Sequence, residues 1–306
     1  MSHRATRVVL VGGVIIYTLL FSALSIARYD AFHATTFDLG IMTQVTWNTA
    51  HGRLFETSID RATNAQLVGS YLGNHVRPIL LLIAPVYRLW PDPRLLLILQ
   101  SLALGLAAVP LHWIAHAQTN DRRAASIVAA CYLAYPAMGF LNLVDFHPIA
   151  LSIPLLFLAY WALEEKRMVL FWIAVVLALS TKEELVVPLG VWGVVNLLRK
   201  EKRGVGLGLV ALSAAWAMVS FGVIIPTFNE GEPYRFWRLW SHLPFLSQAG
   251  PQRRTAQVIG SGSAQTMALF LIHLFPGLCP RVKRLVVLDI ALTPPGLLNP
   301  GQEWPF

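Results

Sequence analysis

Six ionisable residues, Asp38, Asp145, His147, Lys182, Glu183 and Glu184, sit beside hydrophobic stretches long enough to cross a bilayer. A charged side chain at the centre of a span costs about 2.5–3.5 kcal/mol on insertion scales. A chain that keeps six of them there has a use for them. Asp38 lies in Thr-Thr-Phe-Asp-Leu-Gly-Ile. It is a candidate general base or metal ligand; the plainer alternative is a first-turn carboxylate favouring its helix dipole by about 0.3–1 kcal/mol. Lys182-Glu183-Glu184 places three successive charges between two apolar runs. The lysine suits a phosphate, and a glutamate suits a metal or a substrate hydroxyl; an ordinary polar turn is the alternative. Asp145-Phe146-His147-Pro148 opens a further apolar run. Proline is tolerated in a first helical turn and Asp145 could cap it, while an Asp-X-His pair is also a partial site for a divalent cation such as Mg or Mn. His75, in Gly-Asn-His-Val-Arg-Pro, stands where a loop meets an apolar run. Arg77 shares that place and offers a planar fork suited to phosphate.

Other chemistries lack their signatures. There is no Walker or Rossmann glycine pattern, no zinc-protease helix and no serine, cysteine or threonine nucleophile motif. Cys131 and Cys279 lie in apolar stretches without disulfide or zinc spacing and read as small hydrophobic packers. His112 and His116 are four apart at one end of an apolar run and read as interfacial anchors.

The elements that position these residues are hydrophobic helices. The chain has 306 residues, of which 56% are hydrophobic and 13% charged, and its mean hydropathy is +0.57. Soluble domains carry about 25% charged residues. The expected fold is therefore all-α, a polytopic transmembrane helix bundle forming a single domain over residues 1–306. About nine spans are expected: Val8–Ala27, Leu95–Ala117, Ala124–Phe140, Ile149–Leu163, Met168–Thr181, Leu185–Leu198, Val205–Pro226, Ala264–Cys279 and Leu285–Leu298. The run after Arg4 and Arg7 is about 20 residues, the length of a span rather than of a cleaved signal's core.

Net charge is +8, and 13 of the 24 basic residues fall in short breaks: Arg4, Arg7, Arg122, Arg123, Lys166, Arg167, Arg199, Lys200, Lys202, Arg203, Arg281, Lys283 and Arg284. Short basic loops stay cytoplasmic, so this charge reads as topology, and no motif suggests nucleic acid. With a cytoplasmic N-terminus, all these loops fall inside provided Ile79–Trp90 does not span. Its twelve residues reach about 18 Å against about 30 Å of hydrocarbon. Pro78 and Pro91 bound it, so it reads as an interfacial helix. That puts the six charged residues on the outer face of the cell membrane, with a first external loop over 28–94 and a second over 227–263. Thr35 to Asp38 reads as a helix start that Gly52 closes. Gln302–Phe306 reads as an arbitrary stop, so the chain is expected to be incomplete at its C-terminus.

Phe37-Asp38-Leu39-Gly40-Ile41, His75 with Pro78, Phe146-His147-Pro148 and Lys182-Glu183-Glu184, in that order, resemble a prokaryotic family of predicted membrane proteins of unknown function that is similar to the GT-C glycosyltransferase superfamily. The resemblance covers about 29–203 and fades through 234–300, where Tyr234-Arg235-Phe236 is loosely family-like. It implies transfer of a sugar from a polyprenyl-phosphate-linked donor at the non-cytoplasmic face. Asp38 occupies the place of the essential acidic residue of the first external loop, and Ile79–Trp90 that of a helix lying along the membrane. The expected roles are catalytic for Asp38, Lys182 and Glu183, substrate-binding for His75, Arg77, His147 and Glu184, and metal-binding for Asp145. The expected partners are membrane lipid and the lipid-linked sugar phosphate. An ion-coupled transporter using Lys182, Glu183 and Glu184, and an inactive membrane protein, remain as alternatives.

Overall fold

The computed structural model describes residues 3–58, 69–229 and 234. These belong to one compact unit, Met1–Arg235. The expected spans Ala264–Cys279 and Leu285–Leu298, and nearly all of the second long loop, lie outside the described residues.

The described chain is mostly helical. Helix α1 is His3–Asp30. A wide turn at Thr36–Gly40 leads into α2, Ile41–Ala50. Gly52 closes this helix at φ +83°, a left-handed conformation that glycine adopts without strain. A two-residue antiparallel ladder pairs β1, Glu56–Thr57, with β2, Gly69–Ser70, in the register Glu56 to Ser70. Helix α3, Leu80–Leu89, occupies the segment expected to lie at the interface. Helices α4, Pro93–Leu106, and α5, Ala108–Thr119, form a 27-residue rod. Helix α6, Arg122–Leu133, and α7, Pro136–Leu143, are bent by 42° at Pro136, which cannot continue the hydrogen-bond ladder of α6. A short 3-10 turn, Pro148–Leu151, runs into α8, Ser152–Glu164. Helices α9, Met168–Leu179, and α10, Val186–Leu197, flank the turn that carries Lys182 to Glu184. Helix α11, Arg203–Ala217, continues through a wide turn to α12, Ile225–Phe228.

Among the described residues, three helical stretches are long and apolar enough to cross a membrane: His3–Asp30, Pro93–Thr119 and Lys200–Phe228. A fourth is added if the bent α6–α7 pair is one span. The stretches expected as spans around residues 149–198 form helices of at most 17 residues, and the Met168–Thr181 and Leu185–Leu198 runs each form a helix of only 12. Twelve residues rise about 18 Å, short of about 30 Å of hydrocarbon. In the 93–119 rod 61% of the most apolar window is buried, against 22% in α1 and in 200–228. The rod is the interior helix, and the other two turn apolar faces outward, as Val8, Val11, Ile15 and Leu19 show on α1. Cys131 is exposed on α6 rather than packed inside, and His112 is buried within the rod rather than anchoring an interface.

Close approach is set by small residues. A Cβ at Gly206 of α11 would stand 2.7 Å from the Gly193 oxygen of α10 and 2.6 Å from Leu197 N, so only glycine lets these backbones meet. A hydrophobic cluster of Leu39, Met42, Val45, Tyr71, Leu80, Tyr87, Leu96 and Phe146, among others, joins α2 and α3 to the start of α4 and to the α7–α8 turn. This cluster packs the first long loop onto the helices beneath it.

Candidate functional site

The α7–α8 turn leaves helix-end carbonyls that apolar surroundings cannot satisfy, and they must find donors. Gln100, fully buried in the rod, supplies them. Its Nε2 lies 3.2–3.4 Å from the carbonyls of Leu141, Asn142 and Val144, and its Oε1 accepts the His147 N–H at 2.8 Å. Arg28, at the end of α1, donates to the Leu143 carbonyl at 3.3 Å. The turn that carries Asp145 and His147 is thus held from α1 and α4.

Asp145 does not cap α8. Its Oδ2 accepts the Thr35 N–H at 2.7 Å and lies 2.8 Å from Thr35 Oγ1, while Oδ1 lies 3.8 Å from Arg28 Nη2. Thr35 Oγ1 in turn accepts the Asp38 N–H at 3.1 Å, the hydroxyl cap expected from the sequence, and lies 3.1 Å from Asp38 Oδ2. Asp38 Oδ1 faces His147 Nε2 at 3.4 Å. The hydrogen bond from His147 lowers the Asp38 pKa, more than burial raises it, with help from Thr35 and the charge of Arg77. Asp38 and His147 keep 45% and 29% of their side chains exposed, so a ligand can reach both.

The second group gathers on Glu183, which is fully buried. Oε1 accepts from His75 Nδ1 at 2.7 Å and from the Tyr234 hydroxyl at 2.9 Å, and Oε2 accepts the Val76 N–H at 3.0 Å. The Ile79 N–H donates to the Ser180 carbonyl at 2.9 Å, which ties the loop before α3 to the end of α9. Burial lowers the His75 pKa and favours the neutral ring. Burial acts on Glu183 in the opposite sense, but the His75 contact and the Arg77 charge outweigh it and hold the carboxyl below its ordinary range. Tyr234 is buried, and its phenol is pushed up by burial and by the charges of Glu183 and Glu184. Lys182 Nζ lies 2.8 Å from Glu184 Oε2.

Arg77 lies within charge range of both Asp38 and Glu183. It is 6% exposed, and among the described residues its Nε has no partner. Its Nη1 lies 3.4 Å from Met42 Sδ, and its guanidinium carbon lies 5.4 Å from the centre of the Tyr71 ring. A thioether is a weak acceptor. No carboxylate of the described residues lies within ion-pair distance of it.

All eight residues singled out from the sequence therefore come into two adjoining groups, but their surroundings change several roles. Glu183 is fully buried and accepts from three donors. Lys182 is neutralised by its neighbour. Asp145 has its oxygens committed to Thr35 and Arg28, and no group of three or more metal-ligating side chains converges among the described residues. The site's residues do not fit a resident divalent ion. Two positioning residues escaped sequence reasoning. Gln100 is signalled only by being a lone amide in an apolar run, and Tyr234 by its loose likeness to the family pattern.

The order of these motifs along the chain has a counterpart in known sequences. The chain belongs to a family of predicted membrane proteins. The family's model, described as "Predicted membrane protein (DUF2079)", matches residues 28–292. That span holds every residue of both groups. The chain matches no curated protein and no solved structure.

Proposed function

We propose that the protein is an integral membrane transferase of the GT-C kind. It moves a sugar from a polyprenyl-phosphate-linked donor to an acceptor hydroxyl at the non-cytoplasmic face of the cell membrane. The observation that carries this reading is the half-exposed Asp38–His147 contact beside Arg77, a buried cation with no close counter-ion among the described residues. A buried charge is costly unless paired, and a phosphate would pair this one through charge-assisted hydrogen bonds.

In the reaction, the acceptor O–H bond breaks as its oxygen attacks the anomeric carbon. The proton goes to Asp38, the glycosidic C–O bond forms, and the bond from the anomeric carbon to the phosphate oxygen breaks. The electron pair leaves on the phosphate, where Arg77 offsets the growing charge. Arg77 takes the role first expected of Lys182, and Glu183 holds the backbone beside it. A transporter built on Glu183 draws little support from a carboxylate whose oxygens are already occupied.

The test is Asp38→Asn in nanodiscs, with transfer of labelled sugar from a polyprenyl-phosphate donor as readout. Loss of an acid–base group costs about 10²–10⁴-fold in rate. Unchanged transfer would end the assignment. A cysteine placed at position 38 in a background with Cys131→Ser and Cys279→Ser is expected to react with a membrane-impermeant thiol reagent from outside the cell; labelling only from the cytosol reverses the topology.

A further inference from the structure

His147 has two ring nitrogens and both are committed. Nδ1 lies 2.5 Å from the backbone carbonyl of Asp145. A carbonyl only accepts, so Nδ1 carries the proton. In a neutral ring Nε2 is then a bare lone pair, and it faces a carboxylate oxygen of Asp38 at 3.4 Å. At this separation the two atoms are in contact, and a proton on Nε2 or a hydroxyl entering from solvent would join them. Asp145 therefore touches both partners in different ways. Its carbonyl fixes which nitrogen of His147 points at Asp38. Its carboxylate, through Thr35, holds the turn on which Asp38 stands.

We infer that Asp145 is a positioning residue that sets Asp38 against His147 and fixes the ring tautomer, making the two a single proton-sharing unit poised for a hydroxyl-bearing substrate. The inference deepens the transfer reading and rests on it for its purpose, but its test does not require sugar transfer. Several groups surround the unit. Arg28 comes from α1, with Nη2 3.8 Å from Asp145 Oδ1. Thr35 comes from the turn before α2 and Arg77 from the loop before α3. Gln100, from α4, holds the His147 N–H. Thr35 Oγ1 stands between the two carboxylates, 2.8 Å from Asp145 Oδ2 and 3.1 Å from Asp38 Oδ2.

The experiment uses the full chain in nanodiscs with ¹⁵N-histidine and ¹³C-aspartate, and assigns His147 and Asp38 by the spectra lost in His147→Gln and Asp38→Asn. At alkaline pH the His147 ring is expected to carry its proton on Nδ1, the reverse of the tautomer favoured by free imidazole. The Asp38 carboxyl titration is expected to move upward, toward the ordinary aspartate range, in Thr35→Val, which removes the hydroxyl between the two carboxylates. Thr35→Ser keeps the hydroxyl and is expected to stay at the wild-type midpoint. A His147 ring protonated only on Nε2, or an Asp38 midpoint that Thr35→Val leaves unmoved, overturns the inference. Thr35 stands on an exposed turn, so Thr35→Val is expected to keep the fold while it breaks the link between the two carboxylates. An intact coupling without sugar transfer would sink the transfer reading alone.

Discussion

The two halves of the site use the same pair of residue types to opposite ends. In one, Asp38 and His147 face each other at 3.4 Å with both side chains reachable from solvent. In the other, His75 and Glu183 meet at 2.7 Å with 11% and 0% of their side chains exposed. The open pair keeps part of its hydrogen-bonding capacity for a ligand. The closed pair spends all of it on the fold: Glu183 takes three donors from the loop before α3 and from Tyr234. A carboxylate–histidine pair is thus a reacting group or a fastening according to what surrounds it, and Arg77, between the halves, is held by one and offered to the other.

The comparison breaks most sharply at Glu183. Glu183→Ala removes the buried acceptor that His75, Val76 and Tyr234 share, leaving Tyr234 only its bond to Glu184, and is expected to cost about 3–5 kcal/mol, read by denaturant or thermal unfolding in detergent. Glu183→Gln keeps an acceptor and is expected to cost less. If alanine is tolerated without loss, Glu183 is no fastening. Arg77→Leu sharpens the contrast between holding and offering. Removing a buried charge with no close counter-ion among the described residues is expected to be neutral or stabilising, by about 1–4 kcal/mol, while binding of polyprenyl phosphate in the same nanodiscs falls. A variant that unfolds but still binds the lipid phosphate reverses this assignment.

Acid should loosen the closed half. The folded His75 pKa lies below its ordinary 6.5, so its contribution is full above that value and is lost as pH falls below it. The folded Glu183 pKa lies below its ordinary 4.5, so its contribution is full above 4.5 and is lost as pH falls through the folded value. Both act in one direction, and Tm is expected to decline from about pH 6.5 downward, with the lower part of the decline missing in Glu183→Gln. A Tm that holds level from pH 7 to pH 4 would contradict this. The smallest effect is expected at Lys182→Gln. Its partner Glu184 is 39% exposed, and such pairs contribute about 0–1 kcal/mol. A large loss of stability there would mean that the lysine, not Glu183, holds the turn.

Much of this was legible from local pattern. Pro78 and Pro91 bracket α3, Gly52 stops α2, and Thr35 caps the turn that holds Asp38, because each acts within a few residues of itself. The span count was less legible. Apolar composition marks the runs around 149–198 as membrane-compatible, but composition does not say where a helix ends, and these end at 12 to 17 residues. Pro136 shows the same limit: it announces a break, and only the neighbouring helices decide whether the bent pair serves as one span.

By itself, the sequence determined a membrane-embedded helical chain, the local turns, and which few charges stand beside the apolar runs. Tertiary structure alone decided what each charge does. Glu183 finds His75 across 108 residues of sequence and Thr35 finds Asp145 across 110. Lys182, which spacing singled out, pairs with a neighbour, and Arg77 is a buried cation with no close counter-ion among the described residues. The reason is that a side chain's role follows from its desolvation and its partners, and both are fixed by which helices pack together, not by the residues on either side.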